Sequence, residues 1–185
     1  MSTSNEPTAG RAAAASSGPL SGRVWLALSL AVIALDQWTK AWAVRHLSFH
    51  IARPVLPVLD LTLAYNTGAA FSFLADQSGW QRWLLTALAL VVAVLIVGYL
   101  GRLHARRQGL LCAALALILG GALGNLIDRL RLGYVVDFIS AHWRGHYFPA
   151  FNVADSSITI GAALLLIDLL GESRRAPRHS GQEES

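Results

Sequence analysis

The sequence predicts a mainly α-helical protein that crosses a membrane several times. Hydrophobic residues make up 54% of the 185 positions and charged residues only 14%, with a mean hydropathy of +0.47. A soluble domain carries roughly 25% charged residues, so this composition is typical of a membrane protein. Four apolar stretches have the length of a membrane helix, and arginines cluster where hydrophobic runs end.

The four apolar stretches predict four transmembrane helices, since about 20 apolar residues cross a hydrocarbon core of ~30 Å. The predicted spans cover residues 24–44, 83–100, 110–127 and 153–170. The first stretch could be mistaken for a secretory signal peptide. Its apolar and aromatic residues continue past Asp36 to Val44, which favours a retained membrane helix.

The basic residues predict the orientation of these helices, because short basic loops normally stay in the cytoplasm. One group lies in the loop 101–109 and another follows the fourth span: Arg102, Arg106 and Arg107, then Arg174, Arg175 and Arg178. Seven of the 15 Lys and Arg lie on the other side, so the prediction rests on local density of charge. Both termini are therefore predicted to be cytoplasmic, with the segments 45–82 and 129–152 on the outer side of the membrane.

These assignments divide the chain into one domain with two tails. Residues 1–22 are rich in Ser, Ala and Gly without apolar periodicity, which predicts a disordered cytoplasmic tail. Residues 23–171 form a single membrane-embedded domain, and residues 172–185 form a second cytoplasmic tail.

The two segments predicted to face outward contain short β-strands. Val55–Tyr65 is rich in β-branched residues and partly alternating, and Pro57 makes it an edge strand or an interrupted one. Tyr134–Ile139 and His146–Phe148 read as two further strands. Ala69–Leu74 is predicted to form a short interfacial helix, whose Phe71, Phe73 and Leu74 would cover a site and exclude bulk water.

Several other chemistries find little support in the sequence. The net charge of +4 comes without a basic helix or an aromatic RNA-binding motif, so no nucleic-acid partner is expected. The lone Cys112 excludes an intramolecular disulfide, and six histidines without ligand spacing make a metal site improbable. A serine mechanism with Ser156 or Ser157 and Lys40 would leave Asp137 unexplained.

The acidic residues are the strongest indication of a site, because a carboxylate at membrane depth is costly. Asp137 is isolated within Val135–Ile139, and Asp155 lies in the first turn of the fourth span, three residues after Asn152. Taken alone, Asp155 would be read as an ordinary helix cap. Together with Asn152 and Asp137 it predicts a pair of carboxylates that shares a proton and activates water.

Other polar residues are predicted to support this pair. Asp36 and Lys40 lie on one helix face, and the simplest interpretation is an ion pair; substrate positioning is the alternative. Gly121, Asn125 and Asp128 recur at helical spacing near the end of the third span. Asp128 is interpreted as a structural partner that the adjacent Arg129 could neutralise.

Five sequence blocks, in order, closely resemble the bacterial lipoprotein signal peptidase (signal peptidase II) family. They are Asp36–Lys40, Asn66–Ser72, Gly120–Arg129, Val135–Phe138 and Phe151–Asp155. The resemblance runs from about residue 24 to residue 170. It implies an inner-membrane aspartic protease with four transmembrane helices and a periplasmic β-cradle, which cuts diacylglyceryl-modified prolipoproteins before the lipid-bearing cysteine.

The resemblance also implies the roles of individual residues. Asp137 and Asp155 match the catalytic pair of the family. Eight residues match positions that support the site or place substrate: Asp36, Lys40, Asn66, Gly121, Asn125, Asp128, Arg129 and Asn152. The expected partners are lipid-modified prolipoproteins and membrane lipids, the expected state is a monomer, and no metal or cofactor is required.

Two other functions remain open at the level of sequence. A small transport or assembly protein could use the intramembrane acids as a polar relay. A relay, however, would be expected to distribute its acids across the full bilayer depth, whereas four acids here fall on one predicted side. A helical anchor without activity would leave the Asn and Asp motifs without a purpose.

Overall fold

Four helices and a four-stranded sheet make up the fold. The computed structural model describes residues 20–68 and 80–175, with side chains up to residue 171. After a 3-10 turn at Gly22–Trp25, the elements in chain order are α1 (Leu26–His46), β1 (Arg53–Leu56), β2 (Leu59–Asn66), α2 (Trp80–Leu100), α3 (Gly109–Arg131), β3 (Val135–Trp143), β4 (His146–Tyr147) and α4 (Val153–Arg175). The prediction of a mainly helical protein with a small β-element is confirmed.

Three helices are long and apolar enough to cross a membrane. Among the described residues these are α2, α3 and the part of α4 from Val153 to Gly171. The 21-residue helix α1 contains Asp36, Lys40 and Arg45 and is not among them. The count of four spans therefore stays a prediction.

Helix α3 lies at the centre of the bundle and packs against the other three helices. Helix α1 runs parallel to it, since Ser29 bonds to the Ala116 carbonyl near one end and Lys40 bonds to Asn125 nearer the other. Helix α2 packs against α3 through a core of buried apolar side chains: Ala93, Ile96, Leu100, Leu103, Leu111, Cys112, Leu115 and Leu119. Cys112 is a free thiol buried in this core.

The sheet has the antiparallel order β1-β2-β3-β4 and lies at the end of the bundle where α1 and α3 finish. Pro57 lies in the turn between β1 and β2, so the predicted interruption of this strand is confirmed. Ala64 is paired with Asp137 in the register of β2 and β3. Apolar residues at the C-terminal end of α1 pack beneath the sheet, with Ala43 and Leu47 against Leu63, Val136 and Phe138. This packing fixes the position of Asp137 above the helices.

Several predicted boundaries differ from the observed ones. Helix α3 continues to Arg131, four residues past the predicted end, because Asp128 is neutralised within the bundle. Helix α2 begins at Trp80 instead of residue 83, and α4 continues to Arg175, past the predicted start of the tail at residue 172. The predicted helix and lid at residues 69–74 lie outside the described residues.

The end of the predicted N-terminal tail is part of the fold. The Gly22 amide donates to the Leu103 carbonyl at 2.8 Å, and the Ala105 amide donates to the Leu20 carbonyl at 2.9 Å. The Trp25 indole also donates to the Ala105 carbonyl at 3.3 Å. Residues 20–22 therefore pack against the loop after α2, because their backbone groups form hydrogen bonds with the backbone of residues 103 and 105.

Candidate active site

The site forms where α4 begins against α3 and β3. Asn152 and Asp155 make reciprocal bonds across the first turn of α4: the Asp155 amide donates to Asn152 Oδ1 at 2.9 Å, and the Asn152 amide donates to Asp155 Oδ2 at 3.2 Å. This arrangement is a capping box, which satisfies amides that the helix itself leaves unpaired. Asn152 is the N-cap residue, and Asp155 takes part in the cap from the first turn of the helix, as its position in the sequence predicts.

Asn152 also connects this cap to the second predicted catalytic carboxylate. Its side chain is fully buried, and its Nδ2 donates to Asp137 Oδ1 at 2.7 Å. The same group lies within hydrogen-bonding distance of Asn125 Oδ1 at 3.2 Å and the Val136 carbonyl at 3.3 Å. Asp137 and Asp155 are therefore brought together around one buried amide.

Burial makes Asp137 a weak acid. Its side chain is 2% exposed, and loss of solvent followed by the nearby charge of Asp155 raises its pKa to about 7. Hydrogen bonds from Asn66 and Asn152 and the charge of Lys40 act in the opposite direction but are outweighed. Asp137 can hold a proton near neutral pH, as a general acid requires.

Asp155 has a different environment. It is half-buried, and its Oδ1 accepts a 2.7 Å hydrogen bond from Asn125 Nδ2 while its Oδ2 accepts the Asn152 amide. Two N–H donors and the N-terminal end of α4 stabilise negative charge on this carboxylate. The two aspartates therefore have unequal environments, since Asp137 is buried whereas Asp155 is half-buried and accepts two N–H donors.

Both carboxylates open onto cavities. Asp155 lines a groove of about 380 Å³ along α4 with Phe151, Ser156, Thr159 and Ile160. Asp137 lines a cavity of about 200 Å³ beneath the sheet with Asn66, Thr67 and others. A substrate could reach both carboxylates from these openings.

A buried ion-pair network lies behind the two aspartates. Lys40 Nζ lies 2.8 Å from Asp36 Oδ2 and 2.9 Å from Asp128 Oδ2, with all three side chains at most 4% exposed. The same ammonium donates to Asn125 Oδ1 at 2.8 Å, and thereby orients the amide that donates to Asp155. Loss of one member of such a buried network typically costs ~3–5 kcal/mol, because a charge is left without compensation.

Each carboxylate of this network also accepts a hydrogen bond from a backbone amide of a neighbouring element. Asp36 Oδ1 accepts the Ala154 amide of α4 at 2.9 Å, and Asp128 Oδ2 accepts the Val136 amide of β3 at 3.1 Å. These amides flank the two candidate catalytic residues in sequence. The network therefore ties the positions of Asp155 and Asp137 to α1 and α3.

The predicted ion pair between Asp36 and Lys40 is observed, whereas Asp128 has a different partner from the one that its sequence neighbour suggested. Lys40 is the cation that pairs with Asp128, and the adjacent Arg129 does not form that ion pair. Arg129 is half-buried. It interacts electrostatically with three carboxylates, most strongly with Asp155 and less strongly with Asp128 and Asp137. Neighbouring residues on a helix point about 100° apart, which explains why adjacency misidentified the partner of Asp128.

Two glycines allow the helices to approach this closely. A Cβ atom on Gly121 would collide with the Ala154 carbonyl oxygen, and one on Gly124 would lie 2.7 Å from Asp36 Oδ2. Gly121 therefore supports the site through the contact between α3 and α4, as a small residue at a helix interface does.

Sequence reasoning missed the contribution of Gln37. Its Nε2 donates to Asp128 Oδ1 at 2.9 Å and also approaches Asp36 Oδ2 and the Gly124 carbonyl, both at 3.2 Å. The sequence shows only an amide beside Asp36 in an apolar helix, which does not by itself specify these partners. Asn66, which was predicted, accepts the Gly68 amide at 2.9 Å besides bonding to Asp137.

Among residues 20–68 and 80–175, no three His, Cys, Asp or Glu side chains are grouped so that they could hold a metal ion.

A profile of the family described as signal peptidase (SPase) II matches residues 28–171. The chain belongs to this family. The match to the signal peptidase II family covers every residue of the site described above, and it makes this protein a member of a protease family.

Individual relatives agree with this assignment. A lipoprotein signal peptidase of Acinetobacter baumannii is 54% identical over 157 residues, which cover 85% of this chain and 89% of the relative. A lipoprotein signal peptidase of Cupriavidus necator is 51% identical over 166 residues, or 90% of each chain. A bacterial membrane enzyme solved by the in meso method at 2.3 Å is 30% identical, with a TM-score of 0.73 over 86% of this chain and 94% of that one.

Proposed function

We propose that this protein is an aspartic endopeptidase that removes the signal peptide from diacylglyceryl-modified prolipoproteins and cuts just before the lipid-bearing cysteine. Membership of the signal peptidase II family supports the removal of signal peptides from prolipoproteins. The observation that carries the aspartic mechanism is the fully buried Asn152, which hydrogen-bonds both to Asp137 and to the first turn of α4 at Asp155.

In this proposal Asp137 and Asp155 share one proton, and Asp137 is its holder in the resting enzyme. Ionised Asp155 removes a proton from a water molecule as the water attacks the scissile carbonyl. Asp137 donates its proton to the carbonyl oxygen, so that a tetrahedral gem-diol forms. Asp155 then passes the proton taken from water to the leaving amine as the C–N bond breaks, and a gem-diol hydroxyl returns a proton to Asp137 as the new carboxyl group forms. The raised pKa of Asp137 and the N–H donors around Asp155 support this division of roles.

The remaining predicted residues would support the pair. Asn125 and Asn152 would orient the carboxylates, and the Asp36–Lys40–Asp128 ion pairs would hold Ala154 and Val136 in place. Arg129 would stabilise negative charge that develops during hydrolysis, since it interacts with both members of the pair. Asn66 would orient Asp137 from the end of β2.

We further propose that all four helices cross the bacterial inner membrane and that the enzyme acts as a monomer. Helix α1 has 21 residues, which corresponds to about 31 Å, and its charged Asp36 and Lys40 are buried against α3. Basic residues 102, 106 and 107 favour a cytoplasmic position for the opposite end of the bundle. The active site would then face the periplasm at the membrane surface, where the cleavage point of a lipid-anchored substrate lies.

The relay hypothesis explains the structure less well. Four acids form one cluster at one end of the bundle: Asp36, Asp128, Asp137 and Asp155. Asp36 and Asp128 accept backbone amides directly before Asp155 and Asp137 in the sequence. A proton or ion pathway needs ionisable groups at successive depths. The described part of the chain offers only the acids Asp168 and Glu172 towards the opposite end, and both lie close to the C-terminal end of α4.

Cleavage assays with matched substrates test the proposed substrate class. The purified protein in detergent should cleave a diacylglyceryl-modified prolipoprotein and leave the same prolipoprotein without the lipid intact. The matched control is a prolipoprotein variant in which serine replaces the cysteine after the cut. Serine cannot carry the thioether-linked lipid, so this variant should also stay intact. Equal cleavage with and without the lipid would contradict the proposed specificity.

A further inference from the structure

A further cavity lies between the C-terminal ends of α1 and α3. It encloses about 350 Å³, and its lining includes neither Asp137 nor Asp155. One wall is formed by Lys40 and Asp128, whose other sides support the candidate active site. The cavity is therefore a separate concave surface that shares only the ion-pair network with the site described above.

Two arginines at the mouth of this cavity have no partner within the described residues. Arg45 lies in the last turn of α1 and Arg131 ends α3, and both side chains are exposed. Neither guanidinium forms an ion pair or hydrogen bond with residues 20–68 or 80–171. Cations at helix C-termini interact favourably with the helix dipole, which accounts for their positions but not for the cavity between them.

The carboxylate in the cavity wall cannot satisfy these arginines. Asp128 Oδ1 accepts Gln37 at 2.9 Å, and Asp128 Oδ2 accepts Lys40 at 2.9 Å and the Val136 amide at 3.1 Å. Lys40 is likewise paired with Asp36 and Asp128, so Arg45 and Arg131 are the lining cations that lack a partner among the described residues. This imbalance favours an anionic occupant.

The other lining residues indicate an amphiphilic occupant. Ala41, Val44 and Leu132 provide an apolar wall, and Tyr134 adds a ring with a polar hydroxyl. Trp42, on the same turn of α1, is 38% exposed, as expected for an aromatic residue at a membrane surface. The cavity therefore pairs an anion-binding rim with a surface suited to acyl chains or glycerol.

We infer that this cavity binds an anionic phospholipid, with Arg45 and Arg131 on its phosphate and the apolar wall against its glycerol and acyl chains. Two guanidinium forks match phosphate oxygens, and arginines at the ends of membrane helices extend naturally to the headgroup layer. A diacylglyceryl group has no phosphate, so the cavity would select bulk phospholipid over the lipid of the proposed substrate.

Lipid retention tests this inference directly. The full-length protein is placed in nanodiscs of equimolar phosphatidylglycerol and phosphatidylcholine, released, and analysed by native mass spectrometry. Wild type should retain one phosphatidylglycerol, whereas the double variant Arg45→Gln/Arg131→Gln should bind it on the order of 10- to 30-fold more weakly, as expected for two interfacial arginines. The readout is independent of proteolysis, so its failure is distinguishable from a failure of the proposed function.

A double variant with the same loss of charge provides the control. Arg53 and Arg144 are exposed arginines of the sheet, and Arg53→Gln/Arg144→Gln should retain the lipid as wild type does. All variants should elute as one species in size exclusion, which excludes misfolding. Equal retention by the Arg45/Arg131 variant, equal loss in the control, or displacement of the lipid by millimolar inorganic phosphate would each overturn the inference.

Discussion

The position of Asn152 between the two aspartates suits an amide better than a carboxylate. Its oxygen accepts the backbone amide of Asp155 at the start of α4, while its nitrogen donates to the Asp137 carboxyl group. A side chain at this point must accept on one side and donate on the other, whereas an ionised carboxylate can only accept and would add a further negative charge. The residue thus couples the cap of a helix to the protonation state of a neighbouring acid.

The protonation of Asp137 predicts the alkaline limb of the pH profile. Its pKa is raised from 3.8 to about 7, so the proton that the mechanism needs is present below that pH and lost above it. We expect kcat/KM to fall about tenfold per pH unit above the midpoint. Protonated Asp137 also stabilises the fold, a contribution complete below pH 3.8 and lost as the pH rises through about 7.

Cleavage rates in detergent between about pH 5 and pH 9 check this prediction, with circular dichroism at each pH to verify folding. A rate that stays constant through the alkaline range would show that Asp137 does not supply the proton.

The sequence alone identified some residues of the site more readily than others. Asp137 could be predicted because a carboxylate within an apolar strand needs a partner or a function. Gln37 could not be assigned, because an uncharged amide in a helix is unremarkable until its contacts to Asp128 and Gly124 are known. The pairing of Asp128 with Lys40 instead of Arg129 depends on how α1 docks on α3, which local spacing does not specify.

At the scale of elements, the contact between α3 and α4 places one half of the site against the other. Gly121 faces the backbone of Ala154, and the Ala154 amide is held by Asp36 of α1. Three helices therefore meet within one turn of Asp155. Any increase in the distance between α3 and α4 would move the cap of α4 away from Asn125.

Replacing Gly121 by alanine should separate these helices. The new Cβ would collide with the Ala154 carbonyl and lie 2.8 Å from Ile158 Cγ1, so we expect a loss of roughly 1–3 kcal/mol in stability and reduced activity. Gly98 of α2 provides the control, because a Cβ there meets nothing within 4 Å. Gly98→Ala should be neutral or stabilising by up to ~1 kcal/mol.

Thermal unfolding in detergent, followed by the cleavage assay, distinguishes the two glycine variants. If Gly121→Ala were as stable and active as Gly98→Ala, the close approach of α3 and α4 would not be required for the site.

The elements themselves were largely predictable, whereas their ends were not. Apolar runs and the interruption at Pro57 indicated three long helices and the strands correctly. The end of α3 was placed too early because the sequence shows a charged Asp128 but not the Lys40 that neutralises it. Likewise, the structure of residues 20–22 depends on backbone hydrogen bonds with residues 103 and 105. Local composition does not indicate hydrogen bonds between segments so far apart in sequence.

At the scale of the whole molecule, the two ends of the helix bundle carry different features. The sheet, the four clustered acids and the cavity with Arg45 and Arg131 lie at one end of the bundle, and the basic loop after α2 lies at the other. The proposed topology puts the first end in the periplasm and the second in the cytoplasm. A lipid-anchored substrate would then meet the carboxylates at the membrane surface.

Single cysteines test this topology. Arg144→Cys in the turn between β3 and β4 should react with a membrane-impermeant maleimide in intact spheroplasts, and Arg106→Cys should react only after lysis. The native Cys112 is fully buried and should give little background in the folded protein. Labelling of both cysteines, or only of residue 106, in intact spheroplasts would contradict the assigned orientation.

The most direct test of the central claim is cleavage of a diacylglyceryl-modified prolipoprotein by Asp137→Asn, Asp155→Asn and a matched Asp168→Asn variant. Asparagine keeps nearly the same size but cannot exchange a proton, and Asp168 lies on the same helix as Asp155, away from the site. With all three proteins folded, we expect the first two to lose at least roughly a thousandfold in rate and the third to match wild type. Near-normal activity in either Asp137→Asn or Asp155→Asn would contradict the aspartate pair.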